Sequence, residues 1–178
     1  MTLEAACLEL AKYAFHKNPT GGDRAFYKLL EQSSLHTHTE NGDLTSMIVD
    51  THFQVNFQGQ TVPMSGIGYV ASYPEFRGNG AASQLMTDIL RENYQNETFF
   101  SYLAPFSYGF YSKFGYSYVF NQKHYEINAV DFPVGAKTDL TVKRLAYATA
   151  QVDLACVHAQ AVGNGSLVRG DFEWSYYY

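Results

Sequence analysis

Between Val70 and Ala82 the chain leaves an apolar run, passes through Pro74, Glu75, Phe76, Arg77, Gly78, Asn79 and Gly80, and opens a helical period on small residues. A strand that ends in a glycine-rich turn and restarts as a helix aims several backbone N–H groups at one point, at the positive end of the helix dipole. Such a point suits an anion. Gly78 and Gly80 let the backbone approach a ligand without side-chain interference, and Ala81 and Ala82 continue that clearance. Arg77 is the only Lys or Arg between Lys28 and Arg91. Asn79-Gly80 alone would also suit a hairpin turn, but the residues after Gly80 keep a helical period. Neither GxxxxGKS/T nor GxGxxG is present, so the expected anion is a pyrophosphate other than that of ATP or NAD.

A second aromatic-rich stretch, Tyr108-Gly109-Phe110-Tyr111-Ser112-Lys113-Phe114-Gly115-Tyr116, could place a phenol at a site. Phe106, Phe110 and Phe114 lie four apart and read as a packing stripe, with Tyr111 about 100° away and turned to a cleft. The competing reading is a core aromatic, since the chain has 15 tyrosines, and Tyr108 is the second candidate donor. His36-x-His38 with Glu40 and Asp43 reads as a solvated loop and not a metal site. His52 reads as a satisfied strand residue. No Ser/His/Asp spacing suggests a nucleophile. Cys7 and Cys156 form no CxxC pair, imply neither disulfide nor zinc, and read as buried apolar residues.

The elements that carry these residues follow from periodicity. Residues 3 to 16 place Leu3, Cys7, Leu10 and Ala14 on one helical stripe, and a second helix runs from Asp23 to about Gln32. Ser33 to Asp43 is polar and reads as a loop. From Leu44 the period is two, Gln58-Gly59-Gln60 marks a hairpin, and Val62 to Tyr73 is a second strand with almost no charge, as a strand covered on both faces would be. A helix from Ala82 to about Tyr94, a strand from Thr98 to Ala104, a short helix from Phe106 to Phe114 and a strand or hairpin over Tyr116 to Ile127 follow. Residues 129–139 read as a linker. Beyond it come an expected strand at Leu140 to Leu145, a helix from about Thr149 to Val162, a strand near Ser166 to Arg169, and a closing aromatic run, Phe172 to Tyr178, that reads as the beginning of an unfinished strand.

The chain has 178 residues, 46% hydrophobic, 16% aromatic and 16% charged, with a net charge of −5. The charged fraction is below the roughly 25% usual for soluble domains, which excludes extensive disorder and leaves apolar surface for a partner. Net acidity without Lys/Arg clusters argues against nucleic acid and fits, weakly, a cationic substrate. No apolar run approaches a membrane span and no leader opens the chain, so a soluble, cytoplasmic protein is expected.

The loop and the aromatic stretch together carry a resemblance. Arg77-x-x-Gly80-x-Ala82 after an apolar strand resembles the pyrophosphate-binding motif of the GCN5-related N-acetyltransferases, the GNAT superfamily, and Tyr108 to Tyr116 resembles its later motif. Val62-Pro63-Met64-Ser65-Gly66-Ile67 before the loop, with Tyr102-Leu103-Ala104-Pro105-Phe106 after it, resembles more narrowly the enhanced intracellular survival (Eis) branch. The resemblance covers residues 1–128, with 140–178 similar to the start of that family's second, here incomplete, acetyltransferase-like domain.

It implies an α/β (α+β) fold with a mixed, mostly antiparallel sheet flanked by helices, acetyl-CoA as cosubstrate, no metal, and a primary amine acceptor such as an aminoglycoside, a polyamine or a lysine. Val70, Ala71 and Ser72 would bind the pantetheine arm as an added strand. The amides of Gly78, Asn79, Gly80, Ala81, Ala82 and Ser83, with Arg77, would hold the pyrophosphate, Phe106 and Ser107 would flank the thioester, and Tyr111 would protonate the departing thiolate. In that family the amine's proton goes to a C-terminal carboxylate beyond a third domain. Residues 1–178 offer no matching position, so no base is assigned, and Glu75 and Asp50 are candidates by location only. A homo-oligomer is expected. The alternative is a truncated or non-catalytic protein of the same fold that binds coenzyme A or serves in assembly.

Overall fold

The structure, a computed structural model, describes residues 1–119, 121, 123–161 and 163–177. Helix α1 (Leu3–Phe15) starts where Thr2 Oγ1 accepts from the Ala5 amide at 3.3 Å and stops at His16, whose φ is 52°. Its buried stripe is Cys7, Leu8, Leu10 and Ala11, while Leu3, expected inward, is exposed. Helix α2 (Gly22–Leu30) buries Phe26 and Leu29. Together α1 and α2 cover one face of the sheet, where Cys7, Leu10 and Phe26 meet Met47 and Ala71.

The sheet has four strands in the order β1 (Ser33–Glu40), β2 (Asp43–Phe57), β3 (Gln60–Ser72), β4 (Phe100–Leu103). The first three are antiparallel, and β4 lies parallel to β3. A parallel neighbour needs a crossover, supplied by α3 (Ala81–Gln95), which buries Leu85, Met86 and Ile89 against Ile48 and Ile67 on the second face. The β2–β3 hairpin turns at Gln58 and Gly59, with φ of 51° and 78°, the paired positive values of a tight two-residue turn. This is the mixed, mostly antiparallel α/β architecture that the sequence implies.

Several expected elements differ. Ser33 to Glu40 is an edge strand, not a loop. Its polar Ser, Thr and His side chains bond across to β2, Ser33 to Thr51 at 2.9 Å, Ser34 to His52 at 3.0 Å and His38 to Thr45 at 2.8 Å. Neither 116–127 nor 140–145 is a strand among the described residues. Leu140 and Val142 stand 82% and 96% exposed. The short helix is shorter than expected, α4 (Tyr108–Tyr111), continued by a 3-10 turn over Ser112–Phe114 and closed by Gly115 at φ 87°.

Helix α5 (Tyr147–Ala161) forms where a helix was expected. The expected strand near 166–169 is reduced to a single bridge, Leu167 opposite Val55, with Val168 N donating to Gln54 O at 2.8 Å. The closing aromatic run is a helix, α6 (Asp171–Tyr177), at whose start the Glu173 carboxylate reaches back to accept from the Gly170 amide at 2.8 Å. Trp174 is buried there, with Arg169 over its ring at 5.0 Å. Cys156 is exposed on α5, contrary to expectation, while Cys7 is fully buried. Phe120, Gln122, Val162 and Tyr178, which fall within the expected elements 116–127, 149–162 and 172–178, lie outside the described residues.

Candidate acyl-donor cleft

The site begins with two strands that part. β3 and β4 pair only from Met64 with Phe100 to Ile67 with Leu103. β3 continues to Ser72, whereas Pro105 follows shortly after Leu103 and can donate no ladder bond. One edge of residues 68–72 is thereby left without a strand partner among the described residues. The same stretch bulges. Ala71 faces Met47 and Gly68 faces Val49, so Tyr69 and Val70 share Ile48, with Tyr69 at φ 48°. That conformation is costly for a tyrosine. Its ring is held edge-on to Phe26 at 5.1 Å and Phe15 at 5.7 Å, and burial pushes its hydroxyl pKa up to about 12.

Past Ser72, a 3-10 turn over Pro74–Phe76 leads to Arg77, and Gly78 and Gly80 take φ of 86° and 85°. Both glycines are required by that backbone, and a Cβ at either would meet nothing within 4 Å. Open space for a ligand lies in front of them. Gly80 is the N-cap of α3 and offers no side-chain cap, so the amides of the first turn have no intrahelical acceptor. Arg77 Nε donates to the Ser72 carbonyl at 3.3 Å, which ties the loop back to the strand it left.

These elements enclose a cleft of about 700 Å³. Val70, Ala71 and Ser72 form one wall, and Arg77, Gly78, Gly80, Ala81, Ala82 and Ser83 form its end. Phe106 closes it from the segment after β4. Asn79 and Ser107, also singled out from the sequence, do not line it. Sequence reasoning missed Ala14 and Phe15 at the end of α1, along with Phe76 and Phe110. Phe76 sat within the motif itself, and its aromatic ring was the available signal.

Tyr111 is placed differently from expectation. It is 3% exposed and is absent from the cleft lining, whereas Phe106 is 71% exposed. The expected Phe106–Phe110–Phe114 stripe does pack ring on ring, at 5.8 and 5.3 Å, but Phe106 precedes the helix and Phe114 lies in a 3-10 turn, so it does not run along one α-helix and does not turn Tyr111 to the cleft. Tyr111 sits directly behind the lining, its ring 5.3 Å from that of Phe106 and 5.0 Å from that of Phe110. Burial pushes its pKa up to about 12, so the phenol stays protonated through the neutral range. Tyr108, the second candidate, is 63% exposed. Glu75 is exposed outside the cleft, and Asp50 is buried in the sheet. Among the described residues no group of three or more His, Cys, Asp or Glu could hold a metal, and no helix is long and apolar enough to cross a membrane.

A chain from Enterococcus faecalis described as a probable N-acyltransferase superposes with a TM-score of 0.86 at 37% identity, over 97% of this chain and 45% of its own length. This chain thus spans less than half of that relative. Eis1 from Mycobacterium abscessus shares the fold at 16% identity and a TM-score of 0.71, over 98% of this chain and 45% of its own. A predicted acetyltransferase from Clostridium acetobutylicum, solved with acetyl-CoA, does so at 16% identity and a TM-score of 0.55, over 72% of this chain and 91% of its own. None of the curated proteins matches. The acetyltransferase (GNAT) domain model matches residues 3–119, about two thirds of the sequence, and the chain belongs to the GNAT acetyltransferase family.

Proposed function

We propose that the chain binds acetyl-CoA in this cleft and catalyses direct transfer of the acetyl group to a primary amine of an aminoglycoside, a polyamine or a lysine. The observation that carries this reading is the junction of the Gly78–Gly80 loop with an unpartnered strand edge around one cleft. Uncapped amides at the head of α3 and the Arg77 guanidinium suit a pyrophosphate, and the Val70–Ser72 edge suits the amide groups of a pantetheine arm as an added strand. Asn79 supplies its backbone amide to the same loop, and Ser107 stands beside Phe106 at the thioester end. The E. faecalis relative's description and the Clostridium structure's acetyl-CoA support the same reading.

In this reaction the amine nitrogen attacks the thioester carbonyl, and the C–S bond breaks to give an N-acetyl amine and coenzyme A. Tyr111, protonated and one ring behind the cleft wall, is the proton donor to the departing thiolate. The reading takes the protein as cytoplasmic and self-associating, in keeping with the exposure of Val134, Leu140 and Val142. A coenzyme-binding protein without transferase activity is the second reading, favoured by the burial of Tyr111. Release of free thiol from acetyl-CoA, measured with a panel of tobramycin, spermidine and a lysine peptide, separates the two. Amine-dependent release is expected, and binding without release would leave only the second.

A further inference from the structure

Residues 163–177 return to the elements that carry the cleft. β1 begins at Ser33, opposite Thr51, while β2 runs on to Phe57, so the β2 edge beyond Thr51 has no β1 partner. The chain after α5 takes that edge. Gly165 N donates to Asn56 O at 2.8 Å, Asn56 N to Ser166 O at 2.9 Å and Val168 N to Gln54 O at 2.8 Å. From the turn that follows β2, Gln58 N donates to Asn164 Oδ1 at 2.7 Å. α6 comes next in the chain and is tied to two further elements. Lys28 Nζ of α2 donates to Ser175 Oγ at 2.6 Å, and the Tyr69 hydroxyl of β3 is hydrogen-bonded to that of Tyr176.

Tyr69 is the strained residue of the bulge, with φ at 48°, and the next three residues, Val70 to Ser72, are the cleft wall. A left-handed backbone at a bulky side chain persists only where the surroundings over-determine it. Here three elements act on one phenol. Phe15 of α1 and Phe26 of α2 pack edge-on against its ring at 5.7 and 5.1 Å, and Tyr176 of α6 holds its hydroxyl. Ring packing confines the body of the side chain, whereas the hydroxyl bond is directional and fixes its tip. Phe15 also lines the cleft, so the residues that hold Tyr69 adjoin the ligand space. Loss of the bulge would move the residues after Tyr69 by one register position and turn their faces over.

We propose that Tyr176 is a positioning residue for the acyl-donor cleft, which by holding Tyr69 keeps the bulge that presents Val70, Ala71 and Ser72 to the coenzyme; this rests on the acetyl-CoA reading above. Tyr176 does not line the cleft and acts through Tyr69. The segment 163–177, beyond the residues 3–119 that match the acetyltransferase domain, is thereby part of what shapes the donor site. Its strand-like stretch anchors α6 to the β2 edge, the Lys28–Ser175 bond sets α6 against α2, and Tyr176 delivers the contact.

The test uses the full chain and calorimetric titration with acetyl-CoA, comparing wild type with Tyr176→Phe, which keeps the ring and loses only the hydroxyl. The variant is expected to lose about threefold in affinity, because only molecules that keep the bulge bind. In ¹⁵N-labelled protein without coenzyme, its Val70 and Ala71 amide signals are expected to shift from their wild-type positions. Tyr69→Gly carries no strain at a φ of 48° and needs no tether, so in that background Tyr176→Phe is expected to change affinity no further. Wild-type affinity in Tyr176→Phe, even beside a lowered melting temperature, would overturn this proposal alone. So would unmoved Val70 and Ala71 signals, or an equal loss of affinity in both backgrounds. A folded wild-type chain that binds no acetyl-CoA would overturn it together with the reading on which it rests.

Discussion

Arg77 reaches back over its own loop to donate from Nε to the Ser72 carbonyl at 3.3 Å. The last residue of the β3 wall and the only Lys or Arg of the loop are therefore one unit, and the terminal guanidinium nitrogens have no partner among the described residues. Arg77→Ala is expected to weaken acetyl-CoA binding by about tenfold or more, since a hydrogen bond to a charged group contributes roughly 1.5–3 kcal/mol. Calorimetric titration of the two proteins measures it. Equal affinities would remove Arg77 from the site.

Gly80 combines a φ of 85° with open space where a Cβ would stand. Gly80→Ala adds about 1–2 kcal/mol of backbone strain and narrows the cleft. Denaturant unfolding should show a loss of that size, and acetyl-CoA affinity should fall with it. A variant as stable as wild type would contradict the left-handed backbone assigned to this position.

Tyr111, with its pKa pushed up to about 12, is protonated at every pH used for assay. Tyr111→Phe should lower kcat about a hundredfold while leaving acetyl-CoA affinity unchanged. The rate attributable to Tyr111 should not decline on the alkaline side until the pH nears the value of its own ionisation. Unchanged kcat in the variant would remove it as the proton donor.

The loop was legible because φ values of +86° and +85° leave glycine almost no competitors, so Gly78 and Gly80 mark the backbone they need. Tyr69 carries no such mark. A tyrosine in the left-handed region is held by the rings of Phe15 and Phe26, and neither contact is visible in local sequence. Ser33 to Glu40 read as a loop because its polar side chains are satisfied by partners on β2 distant in the chain. The face of Tyr111 was misread for a different reason. A four-residue helix passing into a 3-10 turn does not keep a 3.6-residue period.

Asp50 links pH to stability with a definite sign. Its folded pKa is raised above the ordinary 3.8 chiefly by burial, so the folded state holds the proton more tightly than the unfolded state. Stability from this group is greatest below 3.8, falls as pH rises from there through the raised folded value, and stays lowered above it. Asp50→Asn, uncharged throughout, lacks that fall. Its melting temperature relative to wild type should rise as pH increases from below the ordinary carboxylate value and level off above the raised folded value. A difference independent of pH would contradict the raised pKa.

The central claim is that the cleft between the parted strands and the Gly78–Gly80 loop holds acetyl-CoA, and calorimetric titration of the folded chain with acetyl-CoA tests it most directly. Saturable binding at one site per chain, weakened in Arg77→Ala and Gly80→Ala, is the expected result. No detectable binding to protein shown to be folded by circular dichroism, or binding that neither variant changes, would contradict it.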